Sequence, residues 1–286
     1  MQNATDTAIV LKSIAYGERH RVVTALTRNH GKISAIARNS IHSRRFGGAL
    51  GLFAVSDWTF YLKAGTPLYQ ITEAQIREPF AGLSTDFENL ALASTFTELI
   101  LKLAPEGSVC SELFSLHYNA LQALSQKPSA PQLRPSQIYW LNAYLIKLLQ
   151  WSGHQPDLQN CWNCKQNLVA VPLHQEIYCL IAEATWLCAN CHFHHKATLP
   201  RAAMSLTPQA MNDLRLYMSV PIRQILEQTR ASRKDHLEVF AFLETLITYH
   251  LVDFDPTSFK SLRFLDLESN EPPPRGRELQ SLPAHL

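Results

Sequence analysis

The stretch that decides the fold spans residues 8–38 and reads AIVLKSIAYGERHRVVTALTRNHGKISAIAR. Apolar and polar residues alternate along it in three short segments, a period of two that is typical of β-strands with one buried face. Turn residues close the first two segments, at Tyr16-Gly17 and at Asn29-His30-Gly31. The pattern therefore predicts strands over 8–14, 21–27 and 32–38.

Two further alternating segments, at 50–62 and 68–77, extend this pattern along the chain. Five short strands separated by turns predict a small closed antiparallel barrel. The oligonucleotide-binding (OB) barrel has five strands and is the fold that we expect here. Strand count alone leaves a five-stranded SH3-like barrel open as the alternative.

Charge separates this N-terminal part from the rest of the chain. The first 80 residues hold ten Lys/Arg and five Asp/Glu, a net charge of +5, although the whole chain of 286 residues carries only +2. The other 206 residues hold 16 Lys/Arg and 19 Asp/Glu, a net charge of −3. We therefore expect an α+β protein: a basic barrel at 1–80 and an all-helical domain at 81–267, followed by a disordered tail at 268–286.

Basic residues cluster at the end of one predicted strand and in the loop that follows it. Phosphate binding uses such cations along a groove, together with rings on which bases stack, and Phe46 stands within this loop. The alternative is a solvated basic loop that binds nothing. We assign most barrel aromatics, Phe53, Trp58, Phe60, Tyr61 and Tyr69, to the core. The candidate DNA contacts are Arg19, Arg21, Lys32, Arg38, Arg44 and Arg45.

Beyond residue 84 the apolar period changes to that of helices. Thr85-Asp-Phe-Glu88 has the form of a capping box. The periodicity predicts a first helix that runs from this capping box to about residue 104. Further helices are predicted over 109–126 and 136–151, from Thr207 onward, and over 234–252. No window resembles a membrane span, and Met1 to Thr7 do not resemble a secretory signal. We expect a cytoplasmic protein, associated with the nucleoid if it binds DNA.

Six cysteines provide the strongest chemical signal. Four of them form two pairs, Cys161-x-x-Cys164 and Cys188-x-x-Cys191, with 23 residues between the pairs. Each pair places two thiolates on one side of a tight knuckle, and two knuckles supply the four sulfur ligands of a tetrahedral zinc ion. We predict a structural Zn²⁺ site within an insertion at about 158–200. The alternative is that the two pairs are accidental or are redox motifs. We expect Cys110 and Cys179 to be buried.

The neighbouring sequence also suggests an enzyme. His174-x-Glu176, followed by Cys188-x-x-Cys191, imitates the zinc deaminase signature, in which a glutamate shuttles protons for a zinc-bound water. Leu187 replaces the proline of that signature, and Cys161 and Cys164 would have no role in it. Nucleotide-binding loops and hydrolase motifs do not occur in the sequence. We predict that the protein works by binding and has no catalytic residues.

An ordered set of short motifs resembles the RecO family of bacterial DNA repair proteins. The set consists of Ile9-Val-Leu-Lys, Tyr16-Gly-Glu18, Leu26-Thr27, His30-Gly-Lys-Ile33, Ala37-Arg38 and Arg44-Arg-Phe46, then Leu145-Ile-Lys-Leu-Leu149, Gly153 and Pro156-Asp-Leu158 before the first cysteine pair. This resemblance covers about residues 8–255. Asn39 and Lys165 stand where the family usually has glycine. Many family members carry the four-cysteine zinc site.

The resemblance implies a recombination mediator. Such a protein binds single- and double-stranded DNA, anneals complementary strands and helps to load RecA onto strands coated by single-strand-binding protein. Its implied partners are RecR and the acidic, aromatic-ended C-terminal tail of that coating protein. Lys147 stands where the family's helix usually has arginine, and Arg134 precedes the same helix, so both are candidates to bind the tail. Two alternatives stay open. Lys147 could lie on a solvated helix face and bind no partner, and the whole protein could be a zinc-bearing protein-interaction adaptor whose barrel binds no DNA.

Overall fold

A computed structural model describes residues 3–62, 66, 68–126, 137–169, 171–172, 175–195, 203–224, 233–251 and 255–265. Arg134, His174 and the predicted tail at 268–286 lie outside these ranges. The described residues form an N-terminal barrel, then a helical region into which a small sheet is inserted.

The N-terminal part is a closed five-stranded barrel. Its strands are β1 (Ala4–Tyr16), β2 (His20–Thr27), β3 (Gly31–Ala37), β4 (Val55–Leu62) and β5 (Tyr69–Glu78). Neighbouring strands follow the order β1-β2-β3-β5-β4, and β4 pairs back to β1. All pairs are antiparallel except β3 with β5. This is an OB barrel, so the predicted fold is confirmed; β4, however, begins at Val55 rather than at residue 50.

The two faces of β1 serve two different cores. Ala8 and Val10 point into the barrel, whereas Ile9 and Leu11 belong to the core shared with the helices. The predicted core role of Trp58 and Phe60 is confirmed, because both are fully buried inside the barrel. Phe53 is buried too, but it joins the core of the helical region. Both faces of β1 are thus covered, which makes the barrel continuous with the rest of the molecule.

Within the described residues six α-helices follow the barrel, and most of them match the predicted segments. Asp86, rather than Thr85, caps the first helix, because its carboxylate accepts the Asn89 N–H at 3.0 Å. Thr207 caps the fifth as predicted, with Pro208 in its first turn. The helices are α1 (Phe87–Leu103), α2 (Ser111–Ser125), α3 (Gln137–Trp151), α4 (Ala189–His195), α5 (Pro208–Ser219) and α6 (Arg233–His250).

A small antiparallel sheet interrupts the helices, and the sequence analysis did not predict it. Its strands are β6 (Ile177–Leu180), β7 (Thr185–Cys188) and β8 (Ala203–Leu206), arranged in the order β7-β6-β8. Each strand has only four residues, too few for a period of two to stand out. The sheet positions the second cysteine pair, because β7 ends at Cys188 and α4 begins with the next residue.

The turn between β2 and β3 joins the barrel to the helical region. Gly31 has a positive φ of 71°, and a Cβ atom there would lie 2.1 Å from the carbonyl oxygen of Ser108. Lys32 accepts a backbone hydrogen bond of 2.9 Å from Gly107. The guanidinium carbon of Arg28 lies 5.1 Å from the centre of the Phe114 ring. Only glycine permits this close approach, which accounts for the glycine at position 31.

Candidate metal centre and nucleic-acid interface

The two cysteine pairs meet at one point. The sulfur atoms of Cys161, Cys164, Cys188 and Cys191 all lie within 4.8 Å of one another, and none of the four forms a disulfide. The Cys164 and Cys188 sulfurs are 3.8 Å apart. A tetrahedral ion with metal–sulfur bonds of about 2.3 Å separates its ligands by about 3.8 Å. The four-sulfur donor set therefore fits a tetrahedral metal ion such as zinc.

Backbone and side-chain N–H groups surround these sulfurs. The Cys188 N–H lies 3.4 Å from the Cys161 sulfur, and the Asn163 amide nitrogen lies 3.5 Å from the Cys191 sulfur. The first knuckle closes at Lys165, whose N–H donates to the Cys161 carbonyl at 3.0 Å. Lys165 adopts a left-handed φ of 61°. The chain therefore keeps the knuckle turn even though lysine replaces the glycine expected there.

The thiols of the cluster differ in acidity. Burial alone would raise the pKa of Cys161, but N–H groups of Cys188, Cys164 and Asn163 point at its sulfur and lower that pKa to about 7. Burial raises the pKa of Cys188 to about 12 and also raises that of Cys191. A bound cation favours the thiolate form of every ligand, so it would offset the cost of burying these sulfurs.

The other two cysteines lie outside the cluster and are buried, as predicted. Burial raises the pKa of Cys179, and that of Cys110, where Glu112 adds a smaller contribution. High thiol pKa values make both of them poor nucleophiles. Neither shows the properties of a reactive or metal-binding residue.

The residues of the deaminase interpretation do not assemble into a catalytic arrangement within the described residues. Glu176 is exposed and accepts a hydrogen bond of 3.0 Å from the Tyr178 hydroxyl. The segment from Glu176 to Cys188 is a hairpin in which Ile177 pairs with Cys188. This hairpin leaves no room for the strand-and-helix crossover that joins the two ligand segments in deaminases.

Five of the six candidate DNA contacts lie in two segments of the barrel, the β1–β2 turn with the start of β2 and the loop after β3. The β1–β2 turn meets the loop after β3, since the Ile41 N–H donates to the Arg19 carbonyl at 3.2 Å. In the described part of the chain none of the five forms an ion pair. Arg21 is half-buried and the others are exposed. We call these residues the basic end: Arg19, Arg21, Arg38, Arg44 and Arg45.

Lys32 does not lie with this group. Its side chain is buried, and its ammonium group donates to the Leu101 carbonyl at 2.7 Å and lies 3.4 Å from the Glu106 carboxylate. Phe46 also differs from the expectation, because its ring is only 4% exposed and packs inside the barrel. The geometry favours neither as a DNA contact: Lys32 connects barrel and helices, and Phe46 is not available for stacking.

Tyr16 is an aromatic residue that the sequence analysis left out of the candidate site. It ends β1 opposite His20 and is 60% exposed. The second half of β1 pairs with β2 alone, so the two strands form a hairpin that extends beyond β4. The sequence feature that could have identified Tyr16 as a candidate is its position at the end of a predicted strand, next to a glycine turn and close to Arg19 and Arg21.

A groove lies beside Lys147 in the helical region. The groove has a volume of about 590 Å³ and is lined by residues from α2 and α3 and from the segment after α5, including Leu116, Lys147, Trp151 and Ile222. Lys147 is half-buried, and burial lowers the pKa of its ammonium group. Arg223, which the sequence analysis missed, donates a hydrogen bond to Asn119 in the groove wall. The groove thus combines apolar side chains with two cations, Lys147 in its lining and Arg223 beside it, and with one carboxylate, that of Glu112.

A closed OB barrel followed by a helical region with a four-cysteine centre defines a two-part architecture. The family model Recombination protein O N terminal matches residues 1–80, and Recombination protein O C terminal matches residues 84–258. No helix within the described ranges is long and apolar enough to cross a membrane.

Individual proteins agree with the family models. The chain is 33% identical to the DNA repair protein RecO of Anaeromyxobacter dehalogenans strain 2CP-1, over 72% of this chain and 77% of that protein. It is 28% identical to the RecO protein of Desulforamulus reducens, over 91% and 92% of the two chains. Identity to the RecO protein of Halalkalibacterium halodurans is 27%, over 91% and 94%. The chain belongs to the RecO family, and its role lies in DNA repair and recombination.

Proposed function

We propose that this protein is a recombination mediator that binds single- and double-stranded DNA through the basic end of its barrel. The observation that carries the proposal is the group of five arginines on an OB barrel, none of which has an ion-pair partner among the described residues. OB barrels bind oligonucleotides on the face of strands 2 and 3 and on the loop between strands 1 and 2. Arg19 lies in that loop, Arg21 lies in β2, and Arg38 is the first residue after β3.

Annealing follows from the same surface without any active site. Two complementary strands repel each other through their phosphates, and a cationic surface that contacts both lowers this barrier by releasing condensed counterions. Tyr16 adds an exposed ring beside the arginines, on which an unpaired base can stack. In this role the protein holds strands together and catalyses no covalent step.

The metal in this proposal is a structural zinc ion held by Cys161, Cys164, Cys188 and Cys191. Four sulfur ligands leave no open position for a water or a substrate, in contrast to catalytic zinc sites. The first cysteine pair precedes β6, and the second joins β7 to α4, so the ion would connect the inserted sheet to the chain before it. Its contribution is to the stability of the helical domain, for which we keep the bounds 81–267.

The groove beside Lys147 is our proposed docking site for the tail of single-strand-binding protein. An acidic, aromatic-ended tail needs an apolar pocket for its ring and cations for its carboxylates. Leu116, Trp151 and Ile222 supply the apolar wall, and Lys147 and Arg223 supply the cations. This site would bring the protein to coated strands in the cytoplasm, where RecR and RecA act in the same process.

The experiment that tests the function is a strand-annealing assay. Two complementary oligonucleotides, one of them labelled, are mixed with and without the protein, and duplex formation is followed over time. The proposal expects faster annealing that declines as salt is raised. A protein that binds neither strand, or that deaminates cytidine or adenosine in a parallel assay, would contradict it.

A further inference from the structure

A separate pocket lies beside the four-cysteine centre, and neither the barrel nor the Lys147 groove uses it. It has a volume of about 330 Å³ and is lined by Asp157, Asn160, Cys161, Trp162, Lys165, Thr185 and Trp186. Pockets that bind small molecules have volumes of about 300–1,000 Å³. We call it the indole pocket, after its two tryptophans.

One wall of the indole pocket is a large exposed ring. Trp162 is 58% exposed although it stands between two clustered cysteines. Its backbone N–H donates to the Trp186 carbonyl at 2.7 Å, so the position of its backbone is fixed. An exposed indole on an anchored backbone offers a surface on which a second flat ring can stack.

The opposite wall is formed by the first two residues of β7, Thr185 and Trp186. Trp186 is buried, and its ring packs against Phe242 in the core of the helical region, with the two ring centres 5.1 Å apart. This wall is therefore part of the packed core and supports the exposed ring opposite it.

The chemistry around the pocket identifies the occupant. Lys165 supplies an exposed cation, and the amide of Asn160 can both donate and accept hydrogen bonds. A flat ring with hydrogen-bonding groups on its edge and a phosphate attached matches this combination: the indole of Trp162 for the ring, the Asn160 amide and the Asp157 carboxylate for its edge, and the Lys165 cation for the phosphate. We propose that the indole pocket binds an unpaired base of single-stranded DNA, with the adjacent phosphate at Lys165.

This inference rests on the proposed function, since it assumes that the protein binds single strands. It adds a second contact on the helical region, separate from the basic end of the barrel. A molecule with two such contacts can hold one strand at each of them, or one strand at both. An exposed tryptophan can also bind a segment of another protein. The experiment below distinguishes binding of single-stranded DNA from binding of a protein segment.

The test compares Trp162→Ala and Trp162→Phe in the intact protein, with metal content measured for both. Affinity is measured for a single-stranded oligonucleotide and for an abasic strand of the same length, at one salt concentration. Stacking on an aromatic residue contributes about 1–3 kcal/mol per base, which corresponds to a loss of about 5-fold to 140-fold in affinity for Trp162→Ala. Trp162→Phe keeps a ring and should lose much less.

The expected pattern is specific to bases. Trp162→Ala should weaken binding of the normal strand, keep its metal and bind the abasic strand like the wild-type protein. Equal affinities of the wild type and Trp162→Ala for the normal strand would overturn the inference. So would an equal loss on both strands, or a loss confined to a peptide partner.

Reversal of Arg44 and Arg45 in a parallel variant separates this inference from the proposed function. If that reversal leaves DNA binding unchanged while Trp162→Ala weakens it, the barrel proposal fails and the indole pocket stands. If the reversal weakens DNA binding and Trp162→Ala does not, the barrel proposal stands and the proposed role of the indole pocket fails.

Discussion

The ammonium group of Lys32, on β3, donates a hydrogen bond of 2.7 Å to the carbonyl oxygen of Leu101 in the last turn of α1. The last carbonyls of a helix have no partner within it, and a cation near them is favoured by the helix dipole. A barrel residue therefore caps a helix of the neighbouring region. With Gly31 packed against Ser108, this contact makes the β2–β3 turn the junction between the two parts.

Replacing Lys32 should affect stability rather than DNA binding. Lys32→Met keeps most of the apolar stem but leaves the Leu101 carbonyl without its donor, so the free energy of unfolding should fall by about 1–3 kcal/mol. Arg38→Met is the matched control, because this exposed side chain should change stability by less than about 0.5 kcal/mol. Urea titrations and DNA titrations of both variants provide the check. Weaker DNA binding by a fully stable Lys32→Met protein would contradict this assignment.

Gly31→Ala should destabilise the protein much more than Gly17→Ala. Both glycines have positive φ, 71° and 62°, but only a Cβ at position 31 meets another atom within 4 Å. Left-handed backbone costs a non-glycine residue about 1–2 kcal/mol, and overpacking adds about 1–3 kcal/mol. The difference between the two variants in free energy of unfolding thus reports the packing at the junction. Equal losses would show that Ser108 does not constrain position 31.

Removal of one clustered cysteine should release the metal. Cys188→Ser is expected to lose the ion and more than about 4 kcal/mol of stability, because the loss of a metal site belongs to the most destabilising changes. Cys110→Ser is the control: it lies at the N-cap of α2, where serine is favoured, and should keep one metal ion per chain. Elemental analysis measures the metal content of each variant, and thermal unfolding measures its stability. A metal-free wild-type protein of normal stability would refute the zinc assignment.

Lys147→Glu should weaken binding of a labelled peptide that carries the acidic, aromatic-ended tail. The reversal places a carboxylate in the groove that is proposed to receive carboxylates, so we expect at least a tenfold loss, or about 1.4 kcal/mol. Lys260→Glu makes the same charge change at an exposed position elsewhere in the helical region and should have little effect. Fluorescence anisotropy with the peptide measures both. A parallel loss of naked-DNA binding would point to misfolding instead.

The barrel could be predicted from the sequence because its strands are long enough to alternate clearly, as β2 and β3 do. Four-residue strands such as β6 and β7 carry too little periodicity for this, so the inserted sheet was missed. The cysteine ligands could be predicted because C-x-x-C spacing fixes the local geometry. The role of Lys32 could not, since a lysine in an alternating strand has the same sequence signal whether it faces solvent or a helix end. The sequence also could not show that Tyr16 is exposed and Phe46 is buried, because that difference depends on how the barrel packs.

The most direct test of the central claim is the salt dependence of single-stranded DNA binding by Arg44→Glu/Arg45→Glu. Each phosphate contact with a single strand contributes about 0.7 to the slope of log K against log salt concentration, so losing two contacts should reduce the slope by about 1.4. The control is Lys260→Glu/Arg263→Glu, which makes the same change in net charge at exposed positions of the helical region. We predict a reduced slope and weaker binding for the first variant and a wild-type slope for the second. Identical slopes for the wild type and the Arg44/Arg45 variant would contradict the account.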